Sequence, residues 1–182
     1  MAVSLYPAPS AGKTAYRLSL TGGSSWTVPA GVTYINVTCV GGGGGGGAGS
    51  VWNVTPTAGS AGGSTSFTGA TTASGGAGGA LMWENWGTVT LSSSHVGTSE
   101  QSNSGNGGEG GFGQYWAGSA SGGRLLVGGR GANGQVVTST LATTPGAAIS
   151  YSIGGGGSGG SGTNAVSGGN GGSGRIDIEY WV

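Results

Sequence analysis

Hydrophobic and polar residues alternate most clearly in two segments that enclose the middle of the chain. In the first, Ile35, Val37 and Cys39 are separated by Asn36 and Thr38. In the second, 175–182, the two faces carry Ile176, Ile178, Tyr180 and Val182 and, opposite them, Arg175, Asp177, Glu179 and Trp181. A period of two residues is typical of a half-buried β-strand. The pattern therefore predicts strands over 32–40 and 175–182.

A third alternating segment covers 147–153, where Ala147, Ile149, Tyr151 and Ile153 share one side after the turn pair Pro145-Gly146. Shorter strand candidates are 15–20, 88–91, 124–127 and 135–138. Apolar residues do not recur at helical spacing over any useful length. We therefore expect a mostly β and irregular fold with no substantial α-helix.

Glycine changes this picture, because it makes up 48 of the 182 residues and 44 of them lie between positions 41 and 174. Such tracts often form flexible linkers, and that alternative stays open on composition alone. Aromatic residues scattered between the tracts favour an ordered structure instead. An extended threefold helix of the polyproline II type has no internal hydrogen bonds, so neighbouring glycine helices can bond to one another. The sequence predicts a polyglycine II helix sandwich flanked by short β-strands.

The chain divides into two parts by composition. Residues 1–20 contain Pro7 and Pro9 and are expected to form an N-terminal arm, either a docking segment for a neighbouring subunit or a frayed terminus. Residues 21–182 form the glycine-rich domain, with a strand at 32–40, a polyglycine core at 41–174 and a closing strand at 175–182. No secretory signal or membrane span is recognisable, so synthesis in a host cytoplasm is expected.

Charge and cysteine content exclude several classes of function. Five basic and five acidic residues cancel, which leaves no basic surface for nucleic acid and no polybasic patch for a membrane. The single cysteine, Cys39, cannot form an internal disulfide, and no Cys or His cluster is present to bind zinc. We expect no metal, no cofactor, no nucleic-acid partner and no membrane insertion.

Catalytic chemistry is also poorly supported. His95 is the only histidine, and no Gly-x-Ser-x-Gly motif lies between a strand and a helix. A carboxylate pair of the glycosidase type would have to come from Glu84, Glu100, Glu109, Asp177 and Glu179. Asp177 and Glu179 share a strand face and are interpreted as solvated side chains. The protein is therefore expected not to be an enzyme.

Three segments together resemble a known family. They are SSWTVPAGVTYINVTCVGGGGGGGAG at 24–49, PGAAISYSIGGGGSGGSG at 145–162 and GGNGGSGRIDIEYWV at 168–182. The chain resembles, over about residues 22–182, the glycine-rich domain of bacteriophage tail proteins, including tail-fibre tips and minor tail proteins. The resemblance implies a polyglycine II sandwich at the distal end of a tail, with loops between the tracts contacting a receptor. The segment 80–112 departs from the commoner members.

Tryptophan is the feature that bears most on binding. Trp26 and Trp181 flank predicted strands and are expected to pack. Exposed aromatic rings on rigid loops commonly hold sugars or protein surfaces, while packing remains the alternative for every such ring. The receptor-binding candidates, in segments that join glycine tracts, are Trp83, Trp86, Trp52, Tyr115 and Trp116.

These observations lead to a functional expectation with one main alternative. The expectation is a non-enzymatic virion protein at the distal end of a phage tail that presents loops to a bacterial cell-surface receptor, a glycan or a protein. Its partners would be other phage tail subunits, and a homo-oligomer is expected, with a trimer as one form. The alternative is a purely structural minor tail protein that holds other tail-tip or fibre subunits. A polysaccharide hydrolase is a third, weaker class.

Overall fold

The computed structural model describes residues 12–51, 56–85, 88–91, 112–113, 126–162 and 165–182. Within these residues there are strands and no helix, so the expected mostly β and irregular class is confirmed there. The strands in chain order are β1 (Ala15–Leu20), β2 (Ser25–Thr27), β3 (Tyr34–Val40), β4 (Gly49–Val51), β5 (Ser66–Phe67), β6 (Met82–Asn85), β7 (Thr88–Leu91), β8 (Phe112–Gly113), β9 (Leu126–Val127), β10 (Val136–Ala142), β11 (Ala148–Ser152), β12 (Ala165–Val166) and β13 (Arg175–Trp181).

The two best-patterned strands lie side by side in one antiparallel sheet. Its order is β1-β13-β3-β10, and Ile178 of β13 is paired with Val37 of β3. The predictions at 32–40 and 175–182 are therefore confirmed as β3 and β13. Residues 15–20 of the predicted arm form β1, which pairs along its whole length with β13. Residues 1–11 lie outside the described part of the chain.

A second sheet, β2-β11-β5, packs against the apolar face of the first. Burial of alternate side chains from both sheets removes apolar surface from water, which is the main stabilising term in such a sandwich. Phe67 and Tyr151 of the second sheet meet the isoleucines of the first, and Trp26 packs at the margin. The buried cluster consists of Val28, Val32, Ile35, Val37, Cys39, Phe67, Ala73, Tyr151, Ile176 and Ile178.

Further strands form where the glycine tracts end away from this sandwich. A sheet in the order β12-β4-β6-β7 contains one parallel pair, β4 with β6, and a short antiparallel pair joins β8 to β9. Residues 41–48 connect β3 of the sandwich to β4 of this group, and the other tracts that the structure describes run between the same two ends. The sandwich and the far group of strands are therefore linked by glycine-rich crossings.

The crossing formed by residues 41–48, called here the central tract, is buried throughout. Its backbone N–H groups donate in rotation to three neighbouring segments, so that donors three residues apart share a neighbour. Gly41, Gly44 and Gly47 donate to residues 129–135; Gly42, Gly45 and Ala48 to 57–63; Gly43 and Gly46 to 169–172. The N···O distances are 2.8–3.2 Å. Each neighbouring segment therefore recurs at every third donor.

Two more segments supply donors to the central tract. Gly76 and Gly79 bond the carbonyl oxygens of Gly42 and Gly45, with N···O distances of 2.8 and 2.7 Å. In the same way, the N–H groups of residues 157 and 160 bond the oxygens of Gly43 and Gly46. Among the described residues the tract is therefore bonded to five neighbours, called here the flanking tracts: 57–63, 75–80, 128–135, 154–162 and 168–174.

Close approach explains why these positions are glycine. A Cβ placed on Gly44 would lie 1.9 Å from the carbonyl oxygen of Ala77, and one on Gly45 would lie 2.0 Å from that of Ser158. The obstacles are backbone atoms, which cannot move aside as the end of a flexible side chain can. One methyl group in the central tract would therefore push two crossings apart.

Candidate functional site

Only one of the five predicted receptor-binding residues lies in the described part of the chain. Trp83 belongs to β6, where its backbone is paired with Ser50 of β4 and Thr90 of β7. The other four, Trp86, Trp52, Tyr115 and Trp116, lie outside the described residues, as does His95. The structure places the backbone of Trp83 in the far group of strands, and receptor binding by the five residues stays a prediction.

The remaining tryptophans of the described chain belong to the sandwich. The Trp26 ring lies 6.4 Å from that of Phe67 and 6.0 Å from that of Tyr180, measured between centroids, with tilted planes. Such geometry is favourable for aromatic packing, and the predicted packing role of Trp26 is confirmed. Trp181 is partly buried and opposite Ala15, on the face of β13 that points away from the core.

That outward face of the four-stranded sheet carries a ladder of charged residues. Arg17 Nε lies 2.9 Å from Glu179 Oε1, and Arg175 Nε lies 2.9 Å from Asp177 Oδ2. Ser19 also donates to Asp177. The two contacts between β1 and β13 follow from the register, which pairs Arg17 with Glu179 and Ser19 with Asp177, whereas Arg175 and Asp177 are two residues apart on β13. Both carboxylates lie on the outward face with 40% and 30% of the Asp177 and Glu179 side chains exposed, and each is also paired with an arginine.

The next two strands continue the face with uncharged polar groups. Thr38 and Thr138 share a hydrogen bond of 2.9 Å, and Thr140 donates to Asn36 Oδ1 at 2.8 Å. Asn36 is only 6% exposed, and its Nδ2 group has no hydrogen-bond partner among the described residues. Sequence analysis missed this residue as a buried polar group, because its position alternates with Ile35 and Val37 and so indicated the solvent side.

Together these side chains line a shallow depression of about 500 Å³, called here the polar face. Its lining residues are Arg17, Leu18, Ser19, Asn36, Thr38, Thr138, Arg175, Asp177, Ile178 and Glu179. Charged groups and hydroxyls of this kind suit hydrogen bonding to a polar ligand or partner surface. No group of three metal-ligating side chains occurs in the part of the chain that the structure describes.

Cys39 lies in the sandwich core, away from the polar face. It is fully buried as a free cysteine, and burial raises the pKa of its thiol above the ordinary value because the thiolate would lose its hydration. A protonated thiol in an apolar cluster acts as a small hydrophobic side chain. Its contribution is to packing.

The central tract and its flanking tracts together are called here the lattice, and side chains on its outside bond neighbouring tracts together. The backbone N–H of Ser158 donates to Ser60 Oγ at 2.7 Å, and that of Ser161 donates to Thr57 Oγ1 at 2.8 Å. Asn170 Oδ1 accepts from the N–H of Gly159 at 2.8 Å. Sequence reasoning did not identify these contacts, although the three-residue spacing of Ser158 and Ser161 was a signal for them.

Comparisons with known proteins give no family for this chain. A scan against protein-family models matches none, and a search of curated proteins finds no related sequence. No helix in the described part of the chain is both long and apolar enough to cross a membrane. The functional argument therefore rests on the geometry itself.

Proposed function

We propose that this protein is a non-enzymatic component of the distal end of a phage tail, in which a rigid polyglycine II scaffold presents binding surfaces to the host cell. The observation that carries the proposal is the threefold rotation of hydrogen bonds along the central tract. A scaffold of this type agrees with the family that the sequence resembles. It also accounts for the large glycine content without invoking catalysis.

The rotation of donors fits polyglycine II because that helix has three residues per turn and about 3.1 Å rise per residue. Eight residues then cover about 25 Å, enough to join the sandwich to the far group of strands. The carbonyls and amides of such a helix point outward, and lateral bonds of 2.7–3.2 Å to the flanking tracts pair the amides of residues 41–48 and the carbonyls of Gly42, Gly43, Gly45 and Gly46. Backbone pairing replaces side-chain packing as the source of order.

A rigid scaffold would favour adhesion by holding the binding surface in one conformation. A binding surface fixed in advance loses little conformational entropy when it meets its partner, so more of the contact energy appears as affinity. The segments that leave the lattice at the far end contain Trp83 in β6, and the polar face lies on the sandwich. We assign receptor contact to the far end and contact with other tail subunits to the polar face, where paired charges suit an orienting interface.

Immunogold labelling tests the location. Antibodies raised against the purified chain, applied to intact virions, should label the distal end of the tail in negative-stain images. Virions that lack the gene should not be labelled, and virions that lack the gene but are complemented by a plasmid should be labelled again. Labelling of the capsid, or none on particles that contain the protein by mass spectrometry, would reject the tail-tip assignment.

A paired-variant experiment separates adhesion from a purely structural role. Virions carrying Trp83→Ala with Trp86→Ala should assemble in normal numbers and lose adsorption to the host at least tenfold. Virions carrying Arg17→Ala with Glu179→Ala should show the reverse defect, with fewer complete particles and normal adsorption by the survivors. If the tryptophan pair affects only assembly, the structural alternative replaces the adhesion proposal.

A further inference from the structure

Residues of the four-stranded sheet form rows across its outward face. In one row, Glu179 of β13 is paired with Asn36 of β3, and Asn36 is paired with Thr140 of β10. The next outward residues on β3 and β13, two positions farther along each strand, are Tyr34 and Trp181. The first set is called here the amide row, and the second the aromatic row. Two aromatic residues therefore border a row of hydrogen-bonding side chains.

The aromatic row is accessible from solvent. Tyr34 is 58% exposed, and Trp181 is partly buried. Their cross-strand partners are small, because Ala142 is paired with Tyr34 and Ala15 with Trp181. Short neighbours on both sides leave the flanks of the row open. An exposed aromatic ring offers a large contact area and loses little rotamer freedom on binding, so it suits stacking against the apolar face of a sugar.

Asn36 is the most deeply buried member of the amide row. It is 6% exposed, and its Oδ1 accepts from Thr140 at 2.8 Å. Its Nδ2 group has no hydrogen-bond partner among the described residues, which include both neighbouring strands, β13 and β10. A buried donor without an acceptor has lost its hydration without compensation. The amide therefore favours a ligand that supplies an oxygen acceptor.

Charges on this side of the sheet cancel in pairs. Arg17 lies 2.9 Å from Glu179, and Arg175 lies 2.9 Å from Asp177. Paired charges give no surplus attraction for an anionic or a cationic ligand. They still supply acceptors and donors next to each other. A neutral saccharide matches this mixture, because each of its hydroxyl groups can both donate and accept.

The spacing of the two rows fits one sugar ring. Positions two apart on a strand are separated by about 6.6 Å, so a ring stacked on Tyr34 brings its hydroxyl groups to the amide row. The polar face beside it is a depression of about 500 Å³, within the range of about 300–1,000 Å³ that is usual for small-ligand sites. An aromatic ring next to a polar depression matches the two sides of a sugar unit, its C–H face and its hydroxyl edge.

We propose that the aromatic row and Asn36 form a binding site for a neutral saccharide on the outward face of the sandwich. The sugar stacks its apolar face on Tyr34, with Trp181 beside it, and one of its oxygens accepts a hydrogen bond from Asn36 Nδ2. The site goes beyond the proposed function, which assigns receptor contact to the far end. It adjoins the arginine–carboxylate pairs assigned to subunit contact, and it rests on the geometry of the sandwich alone.

The route to the amide passes the ion pair of Arg17 and Glu179. Asn36 lines the polar face together with these two residues, and its Nδ2 atom is closed to solvent in the free chain. Glu179 is directly opposite Asn36 in the register, and the Arg17 side chain that bonds it is 84% exposed. An ion pair this exposed contributes little to stability, so its side chains can rearrange at small cost. Binding of the sugar oxygen displaces the pair and uncovers the amide.

NMR titration of the isotope-labelled full chain tests the site. The probes are the methyl glycosides of glucose, galactose, mannose and N-acetylglucosamine. At least one of them should saturably shift the side-chain amide signals of Asn36 and the indole N–H signal of Trp181. The amide signal of Gly44 in the central tract should stay unchanged. If none of the probes gives a saturable shift at Asn36, the proposal is wrong.

A pair of tyrosine variants tests the stacking contact. Tyr34→Ala should weaken the affinity for the sugar at least about tenfold, since a central aromatic ring commonly supplies a large share of binding energy. Tyr16→Ala is the matched control, because Tyr16 is 46% exposed but stacks on Tyr180 at the opposite face of the sheet. Equal affinity of the two variants for the sugar would overturn the proposal.

The amide contact has its own pair of variants. Asn36→Ala removes the donor and should also weaken the affinity at least about tenfold. Thr140→Ala removes only the hydroxyl that donates to Oδ1 and should bind the sugar like the parent chain. An Asn36→Ala chain that is folded, as judged by the dispersion of its amide signals, and that binds like the parent chain would contradict the assigned contact.

Charged sugars and self-association distinguish other occupants. Glucuronate and glucosamine should bind no more tightly than the glucoside, and a preference of at least about tenfold for either would reject a neutral ligand. Shifts at Asn36 that grow with protein concentration alone would assign the face to a second copy of the chain and overturn the proposal. All these measurements use the isolated chain, so a negative result leaves the proposed place in a phage tail unaffected.

Discussion

The sandwich and the glycine lattice both bury backbone, but they stabilise the buried backbone in different ways. In the sandwich, Phe67, Ile176 and Ile178 exclude water with their side chains, and strand pairing satisfies the backbone. In the lattice, the central tract is equally buried but has almost no side chains, and its bonds go to five different flanking tracts. The first region is stabilised by apolar area, the second by backbone hydrogen bonds between glycine tracts in close contact.

The difference predicts opposite responses to small changes in volume. A side-chain core loses stability gradually as methyl groups are removed, and it can relax around the change. The lattice has carbonyl oxygens about 2 Å from the position of an added Cβ, so it cannot absorb a methyl group at those positions. We therefore expect that adding a single methyl group at Gly41, Gly42, Gly44, Gly45 or Gly47 removes most of the stability of the lattice in one step.

The largest expected effect is that of Gly44→Ala, whose Cβ would lie 1.9 Å from the carbonyl oxygen of Ala77. We expect a loss of more than about 4 kcal/mol in unfolding free energy, far above the ordinary cost of a point mutation. Urea unfolding followed by tryptophan fluorescence measures it. Gly155→Ala should stay within about 0.5 kcal/mol of the parent chain. Equal stability of the two variants would contradict the close packing of the central tract.

In the sandwich, truncation at Ile178 should follow a graded series. This residue is 1% exposed and packs between the two sheets. Ile178→Val should cost about 0.5–1.5 kcal/mol and Ile178→Ala about 2–5 kcal/mol, as lost methyl groups leave a growing cavity. The same urea titration applies. Equal losses of unfolding free energy for the two variants would contradict the expectation that the sandwich, unlike the lattice, loses stability gradually.

Thr65 joins the two regions and should show an intermediate effect. It is fully buried, and its Oγ1 accepts from the N–H of Gly154, the first residue of a flanking tract, at 3.0 Å. Thr65→Val keeps the shape and leaves that N–H without an acceptor, at an expected cost of about 1–3 kcal/mol. Thr65→Ser retains the hydroxyl and is the control. A valine variant as stable as the serine variant would show that this bond does not couple the regions.

The smallest effect is a pH dependence from Cys39. Burial raises the pKa of this thiol, so the folded chain holds the proton more tightly than the unfolded chain does. The resulting stabilisation is complete below the ordinary thiol pKa and is lost as pH rises above roughly 8.5 toward the folded value. Cys39→Ala should flatten the alkaline decline in unfolding free energy. An unchanged slope would assign the decline to other groups.

The sandwich was predictable because its strands alternate. Ile35, Val37 and Cys39 are buried as their spacing indicates, and β11 and β13 lie where periodicity places them. The far group of strands was less predictable: its strands are short, and pairing such as that of β4 with β6 depends on where the crossings end. Asn36 departed from its pattern because it lies on β3 between Glu179 of β13 and Thr140 of β10, and Thr140 donates a hydrogen bond to its side chain.

Lattice register could not be predicted in advance, although its spacing was visible. Ala77 and Ala80, or Ser158 and Ser161, recur at intervals of three because two of every three residues in a flanking tract face other backbone. Which tract pairs with which depends on loop lengths and on the order of crossings, and a single sequence carries little information about either. For the binding residues, sequence composition indicated tryptophan, and the structure positions only the backbone of Trp83.

Amide hydrogen exchange of the glycine-labelled protein tests the central claim most directly. The N–H groups of Gly42 to Gly47 are all bonded to flanking tracts. The account predicts that they exchange as slowly as the amides of Val37 and Ile178 in the sandwich, at rates set by global unfolding. Exchange of the central tract at the rate of an unfolded peptide, beside a protected sandwich, would show that the glycine crossings are not held by these bonds.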